Sequence, residues 1–216
     1  MNAFVLAGGQ STRMGRDKAL LELHGRPLVQ HMLGMLCSPG FAPRICGTRS
    51  DLTRFAAVVP DNFPGAGPLG GLEAALALSG SELNLFVPVD LPAMPPEFLR
   101  WLAERAERSQ AVATIPRCRG RLQPLCAVYS CRLLEGLRAS LAAGRCKVMD
   151  AVSSSACALG ETIDAFDVEC IAASVSSERP LGPPAVWFRN VNTPGDYAAL
   201  GAAGAALPLE QKRVIQ

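Results

Sequence analysis

The sequence predicts an α/β fold with a mostly parallel sheet and helices on both faces. Three observations lead there. Apolar strand patterns alternate with amphipathic helix patterns along the chain. The segment Leu83-Asn84-Leu85-Phe86-Val87-Pro88-Val89 is a nearly continuous apolar run, as expected of a strand buried on both faces. The first apolar run, Phe4-Val5-Leu6-Ala7, leads straight into Gly8-Gly9, so a glycine-rich loop sits at a strand's carboxyl end, where open α/β sheets bind ligands.

The elements follow in order. A first strand is expected near Asn2–Leu6. A helix opens at Pro27, a favoured first-turn position, and carries Leu28, His31, Met32, Met35 and Leu36 at helical spacing. Short strands are expected at Pro43–Thr48 and Phe55–Val59, then a helix over Leu69–Ser79 and the buried strand Leu83–Val89. Pro96–Arg108 reads as a helix with Phe98, Leu99 and Leu102 on one side and Arg100, Glu104, Arg105 and Glu107 on the other. Ala111–Ile115 and Pro124–Tyr129 read as strands and Arg132–Ala143 as a helix. Ser153–Ala158 and Ala172–Pro184 are rich in Ser, Pro and Gly, which suggests an irregular excursion around a short element near Ile163–Ile171. Ala185–Asn190 is a last strand candidate and Pro194–Leu200 opens a last helix. One domain over residues 1–202 is expected, with a flexible tail over 203–216.

Composition narrows the function. The chain has 216 residues, 49% of them hydrophobic, enough for one sizeable core. Its formal net charge of +2 argues against nucleic-acid coating or a polybasic membrane patch. No stretch approaches the length of a membrane span, and the first apolar run is too short for a signal peptide. The eight cysteines form no Cys-x-x-Cys pair and only two histidines accompany them, so reduced thiols in a cytoplasmic protein are expected rather than a zinc site.

The loop Gly8-Gly9-Gln10-Ser11-Thr12-Arg13-Met14-Gly15-Arg16-Asp17-Lys18 carries the main chemical signal. Glycines let a backbone approach phosphate oxygens and turn its N–H groups toward an anion. Arg13 adds a planar fork and Lys18 a mobile point charge. An ordinary strand-to-helix turn needs the glycines but not both cations. A P-loop does not fit, because five residues separate Gly9 from Gly15 and no Lys-Ser/Thr pair follows. Gly65-Ala66-Gly67-Pro68-Leu69-Gly70 matches Gly-x-Gly-x-x-Gly in letters, but no strand directly precedes it. That segment runs into a helix N-terminus, whose amides suit a base or phosphate.

Asp90 leaves the buried strand at the same edge. It reads either as the cap of the next turn or as an oxygen ligand for Mg²⁺. Asp61 follows another strand toward that edge. Arg117, Arg119, Arg121 and Gln123 form a basic loop that is either a solvated turn or a seat for a second, anionic substrate.

Taken together, Leu6-Ala7-Gly8-Gly9-x-Ser11-x-Arg13-Met14-Gly15-x-Asp17-Lys18 resembles the signature of nucleotidyltransferases that activate sugars, alcohols and molybdopterin. Gly67-Pro68-Leu69-Gly70-Gly71-Leu72, Val89-Asp90-Leu91-Pro92, Gln123-Pro124-Leu125 and Asn190-Val191-Asn192-Thr193-Pro194 are similar, in the same order, to later motifs of the molybdenum cofactor guanylyltransferases. The resemblance covers about residues 1–150 and 186–200. It implies a Rossmann-like fold of the nucleotide-diphospho-sugar transferase type and transfer of GMP from GTP to the phosphate of molybdopterin, with Mg²⁺ as cofactor. It also implies roles. Leu6, Ala7, Gly8 and Gly9 meet the nucleotide through the backbone, with Gly67, Leu69 and Gly70 beside them. Lys18 binds phosphate, Asp61 holds the nucleoside, and Asp90 binds Mg²⁺ at the α-phosphate. Thr48 stands near the position of a family Asn at the nucleotide site and departs from it. Arg13, Lys18 and Asp90 form the catalytic set, while Arg121, Gln123, Asn190 and Asn192 face the acceptor. Proteins that assemble molybdoenzymes are the implied macromolecular partners. The alternatives are a cytidylyltransferase, a sugar- or alcohol-phosphate nucleotidyltransferase, and a non-catalytic nucleotide binder of the same fold.

Overall fold

A computed structural model of the chain describes residues 1–8, 18–175, 181–191 and 196. Seventeen elements are used below in chain order: β1 (Asn2–Leu6), β2 (Glu22–Leu23), β3 (Arg26–Pro27), α1 (Leu28–Cys37), β4 (Pro43–Cys46), β5 (Val58–Val59), α2 (Pro68–Leu78), β6 (Leu83–Pro88), α3 (Pro96–Ser109), β7 (Ala113–Cys118), β8 (Arg121–Leu122), β9 (Ala127–Ser130), α4 (Leu134–Ala142), α5 (Val148–Leu159), β10 (Ile163–Asp167), α6 (Val168–Val175) and α7 (Pro184–Trp187).

The sheet order is β10-β7-β9-β6-β1-β4-β5, with β8 attached to β7. β1 pairs in parallel with β4 on one side and β6 on the other, and β5 continues in parallel beyond β4. β9 runs antiparallel to both β6 and β7, so β7 and its parallel neighbour β10 point the same way as β1. The expected mostly parallel sheet is present, with β9 and the short β8 as its reversed strands.

Side chains alternate across the sheet and build a core on each face. From β1, Ala3 and Val5 join Ile45, Leu85, Val87 and Val128 under α1 and α3. Phe4 and Leu6 join Val59, Phe86, Ala113, Ile115 and Tyr129 under α2, α4 and α5. Phe4 stacks on Phe86, with ring centroids 5.2 Å apart, where the parallel register places them side by side. Burial on both faces explains why β6 reads as a continuous apolar run.

Three regions differ from expectation. Ser153–Ala158 is not irregular: it lies within α5. Val148, Ala151, Val152, Ser155 and Ala156 are buried at i, i+3, i+4, i+7 and i+8. Ser155 tolerates this burial because its Oγ donates to the Ala151 carbonyl at 2.7 Å. Ala185–Asn190 is not a strand. Pro184 starts the helical turn α7, and Trp187 is buried with its Nε1–H donating to the Leu181 carbonyl at 2.9 Å. Phe55–Val59 shortens to β5, after a 3₁₀ turn over Ser50–Arg54. Of the expected last helix, 194–200, only residue 196 lies within the described residues, and the expected tail lies outside them.

Helix α4 packs on α5 at Gly136, where an added Cβ would stand 2.6 Å from the Ser155 Cβ and 3.1 Å from its Cα. The exposed Gly34 in α1 faces open space. Gly136→Ala should therefore destabilise the protein by about 1–3 kcal/mol. Gly34→Ala should stabilise it by up to about 1 kcal/mol. Urea unfolding of both variants checks this, and a loss of stability in Gly34→Ala as large as in Gly136→Ala would contradict the packing described.

Candidate nucleotide-transfer site

The carboxyl ends of β1, β4, β5 and β6 open onto one edge. The Ala7 N–H donates to the Cys46 carbonyl at 3.1 Å, the Gly47 N–H to the Val59 carbonyl at 3.0 Å, and the Val89 N–H to the Leu6 carbonyl at 3.1 Å. These bonds extend the ladder one residue past each strand. They also occupy the Leu6 carbonyl and the Ala7 N–H, so the chain leaves the sheet with the Ala7 carbonyl and the exposed Gly8. β4 leaves beside it. Gly47 has φ +149, and a Cβ there would meet the Gly8 nitrogen at 3.5 Å. The exposed Thr48 comes next.

Lys18 lies 72 positions before Asp90 in sequence, yet its Nζ donates to Asp90 Oδ2 at 3.3 Å. The two side chains keep 26% and 18% of their surface exposed, so a ligand at this edge can reach them. The Val191 N–H donates to the Asp90 carbonyl at 3.0 Å, which ties the exposed Asn190 to the end of β6. Gly9, Arg13 and Asn192 lie outside the described residues.

Asp61 follows β5 after Pro60. Its Oδ1 is buried and has no hydrogen-bond partner. It packs toward α2, 3.7 Å from where a Cβ on Gly71 would be. Burial pushes its carboxyl above the usual range. Burial, and secondarily the Asp61 charge, also raise the nearby Cys46 thiol. The turn from Asp61 into α2 needs left-handed backbone at Gly65 (φ +85) and Gly67 (φ +65), and Gly67 stands directly before the helix. Leu69 and Gly70 are buried in the first turn of α2. A Cβ on Gly70 would press on the Phe63 carbonyl at 3.0 Å, so glycine there keeps the loop close to the helix.

The basic loop is a hairpin. Arg119 (φ +50) and Gly120 (φ +72) form its two-residue turn between β7 and β8. Arg117 turns aside to Asp167 at 3.2 Å, whereas Arg121 is exposed. Gln123 reaches the same edge because β9 is reversed: its N–H donates to the Pro116 carbonyl at 2.9 Å just before β9 begins. The structure thus collects Gly8, Thr48, Asp61, Lys18, Asp90, Asn190 and Gln123 along one edge of the sheet.

One stretch has no role assigned from sequence. α4 starts near the amino edge, where the Cys131 N–H donates to the Glu82 carbonyl, and packs alongside α2. The α4–α5 connection therefore returns to the carboxyl edge with Arg145 and Lys147 exposed. Their charge was visible in the sequence; their place depends on the direction of α4.

Three comparisons bear on this site. The sequence family described as the MobA-like NTP transferase domain matches residues 3–157. A protein of Pelotomaculum thermopropionicum named probable molybdenum cofactor guanylyltransferase is 35% identical over 194 residues, 89% of this chain and 87% of that protein. A Vibrio cholerae protein named molybdenum cofactor guanylyltransferase is 32% identical over 203 residues, 92% of this chain and 90% of that protein. Among solved structures, molybdopterin-guanine dinucleotide biosynthesis protein A from Archaeoglobus fulgidus has a TM-score of 0.76 at 24% identity, covering 94% of this chain and 98% of that one. The 2-C-methyl-D-erythritol 4-phosphate cytidylyltransferase of Thermus thermophilus has a TM-score of 0.61 at 17% identity, covering 93% and 96%. At those identities the structures speak to the fold.

Asp61 yields a prediction with a definite sign. Burial raises the Asp61 carboxyl, so within the carboxylate range it binds more protons folded than unfolded, and stability falls as pH rises from the ordinary carboxylate value through the raised one. Asp61→Asn should raise the melting temperature at pH 7, and the gain should shrink as pH is lowered through the carboxylate range. A pH-independent difference would contradict the burial effect.

Proposed function

The chain belongs to the MobA-like NTP transferase family, and on that premise we propose that it transfers GMP from GTP to the phosphate of molybdopterin, forming molybdopterin guanine dinucleotide and pyrophosphate. The observation that carries this reading is the Lys18–Asp90 pair at the carboxyl end of β6, on the same sheet edge from which the loop that holds Asp61 leaves β5. A cation for phosphate and a carboxylate for the metal stand together there, and the same edge carries a buried, unmatched acceptor on Asp61.

The reaction needs alignment and charge control. An oxygen of the molybdopterin phosphate forms a bond to the α-phosphorus, and the bond from that phosphorus to the pyrophosphate oxygen breaks. A phosphate monoester is largely ionised at neutral pH, so no general base is required. Two polyanions must instead be held close against their repulsion. Lys18 and Arg13 are proposed to bind the triphosphate and steady the leaving pyrophosphate. Gly8 and Gly9, with the amides of Gly67, Leu69 and Gly70, take the nucleotide through the backbone, and Asp61 accepts from the guanine N1–H and amino group. Thr48, exposed after β4 on the same sheet edge, is proposed to meet the nucleotide as well. Arg121, Gln123, Asn190 and Asn192, joined by Arg145 and Lys147, face the second anion.

Mg²⁺ is proposed as the cofactor. Among the described residues no three acidic, histidine or cysteine side chains cluster as a metal cage. Asp90 offers hard oxygen, and one carboxylate completed by substrate phosphates is a donor set that Mg²⁺ commonly takes. Bound there, the ion would neutralise charge on the phosphates. Lys18 must then share or release Asp90, and its flexible stem allows it to move to a phosphate. A cytoplasmic location is part of the proposal, supported by cysteines that are all free thiols. No helix among the described residues is long and apolar enough to cross a membrane.

Pyrophosphate release measured with each nucleoside triphosphate, with and without molybdopterin, tests the reading. Release should require GTP and molybdopterin together. Preference for CTP would move the chain to cytidylyl transfer, and no release with any pair would leave only binding.

Asp90→Asn keeps the side-chain volume but removes the charge. It should lower turnover by about 10²–10³-fold, the usual cost of losing one electrostatic group at the reacting centre, with the melting temperature close to wild type. Near-normal turnover at ordinary Mg²⁺ would refute the assignment. Lys18→Ala should lower kcat more than GTP affinity if its charge acts on the departing pyrophosphate. A weaker affinity with unchanged kcat would assign Lys18 to ground-state binding instead.

A further inference from the structure

Glu73 is an anomaly in α2. The helix begins Pro68-Leu69-Gly70-Gly71-Leu72 and continues Ala74-Ala75-Leu76, and all but Pro68 of these are buried. Glu73 lies among them with 1% of its surface exposed. No other carboxylate or basic side chain among the described residues is buried to that degree. A carboxylate in such a place is costly unless its oxygens are matched. Both are. Asn62 Nδ2 donates to Oε2 at 2.9 Å and Arg138 Nε to Oε1 at 2.8 Å. Arg138 also donates to Glu135 at 2.9 Å, which anchors it on α4.

Asn62 directly follows Asp61. We propose that Glu73 is a positioning residue for the nucleoside site: through Asn62 it clamps the loop from β5 to α2, and so aims the Asp61 carboxylate into the site. The proposal rests on the reading that Asp61 holds the base. The geometry favours it over a simple brace between α2 and α4. A brace would need only Arg138, yet one of the two oxygens is committed to the loop that carries Asp61. That loop has few other ties. The Ala66 N–H to Phe63 carbonyl bond, at 3.1 Å, lies within it, and Gly65 and Gly67 add backbone freedom. Without Asn62 held at Glu73, Asp61 would sample several orientations, and a fixed hydrogen bond to the base would lose its preorganisation. Asn62 itself is exposed, so changing it removes no core packing.

The test separates positioning from bracing by exchanging donor and acceptor. Asn62→Ala, Asn62→Asp, Glu73→Gln and the double variant Asn62→Asp/Glu73→Gln are compared with wild type. GTP and CTP affinities are measured by calorimetry with Mg²⁺, beside melting temperatures. Asn62→Ala should weaken GTP binding about tenfold and narrow the GTP-over-CTP ratio, with little change in melting temperature. Asn62→Asp sets two carboxylates against each other and should be worse. In the double variant the new amide can accept from Arg138 through its oxygen and donate to the new carboxylate through its nitrogen, so affinity and base ratio should return toward wild type. If Glu73→Gln alone fails to fold, Asn62→Ala still decides the matter. Unchanged GTP affinity and base ratio in Asn62→Ala would overturn the positioning role. A wild-type protein that binds no nucleotide would overturn the functional reading itself, and the clamp with it.

Discussion

The parallel pairing of β1 between β4 and β6 is the constraint on which the site depends. Parallel strands end together, so three chain exits and their side chains meet on one edge. The bonds from Ala7 to Cys46 and from Val89 to Leu6 continue that pairing past the strands. They set Gly8 and Asp90 at one level. Lys18 can then reach Asp90 across 72 residues of sequence. A sheet with β1 at an edge would separate these groups. The two-sided core holds β1 in the middle: Ala3 and Val5 serve one face, Phe4 and Leu6 the other.

Two charged groups near the edge are paired before any ligand arrives. Lys18 partly neutralises Asp90, and Arg117 is satisfied by Asp167 rather than facing the site. Asp61 differs, with a buried oxygen that has no hydrogen-bond partner. An orphaned buried acceptor is a standing cost to stability, commonly tolerated where a ligand supplies the missing donor. Glu73, tied to the same loop through Asn62, shows the opposite treatment. Its burial is deeper, and both of its oxygens are matched. The fold thus treats these two neighbouring carboxylates in opposite ways.

Much of this was legible in the sequence because local pattern and tertiary role agree. The apolar run of β6 announces burial on both faces, and Asp90 follows it directly. Gly65 and Gly67 mark a turn that uses left-handed backbone. The Lys18–Asp90 contact was not legible as a pair, since nothing local joins residues so far apart. The reversal of β9 was hidden too, because strand direction leaves no mark on a four-residue segment; it puts the start of β9, with Gln123 shortly before it, toward the carboxyl edge. Helix α5 is hidden by its serines, whose composition suggests a loop although the buried Val148, Ala151, Val152, Ser155 and Ala156 are spaced as on a helix. The Pro183-Pro184 step hid α7 in the same way: it reads as an interruption, yet the second proline starts a helical turn. Nothing in the sequence marks Glu73 as buried; its 1% exposure and its two partners belong to the tertiary structure.

The central claim is that the chain attaches a nucleotide to a phosphate by attack at the α-phosphorus. GTP carrying a label in the α-phosphate, incubated with molybdopterin, Mg²⁺ and the full chain, tests this most directly. The account predicts that the α-label appears in a product containing both guanosine and molybdopterin, in amounts equal to the pyrophosphate released. Recovery of the α-label only in GDP or free GMP, with none joined to molybdopterin, would contradict it.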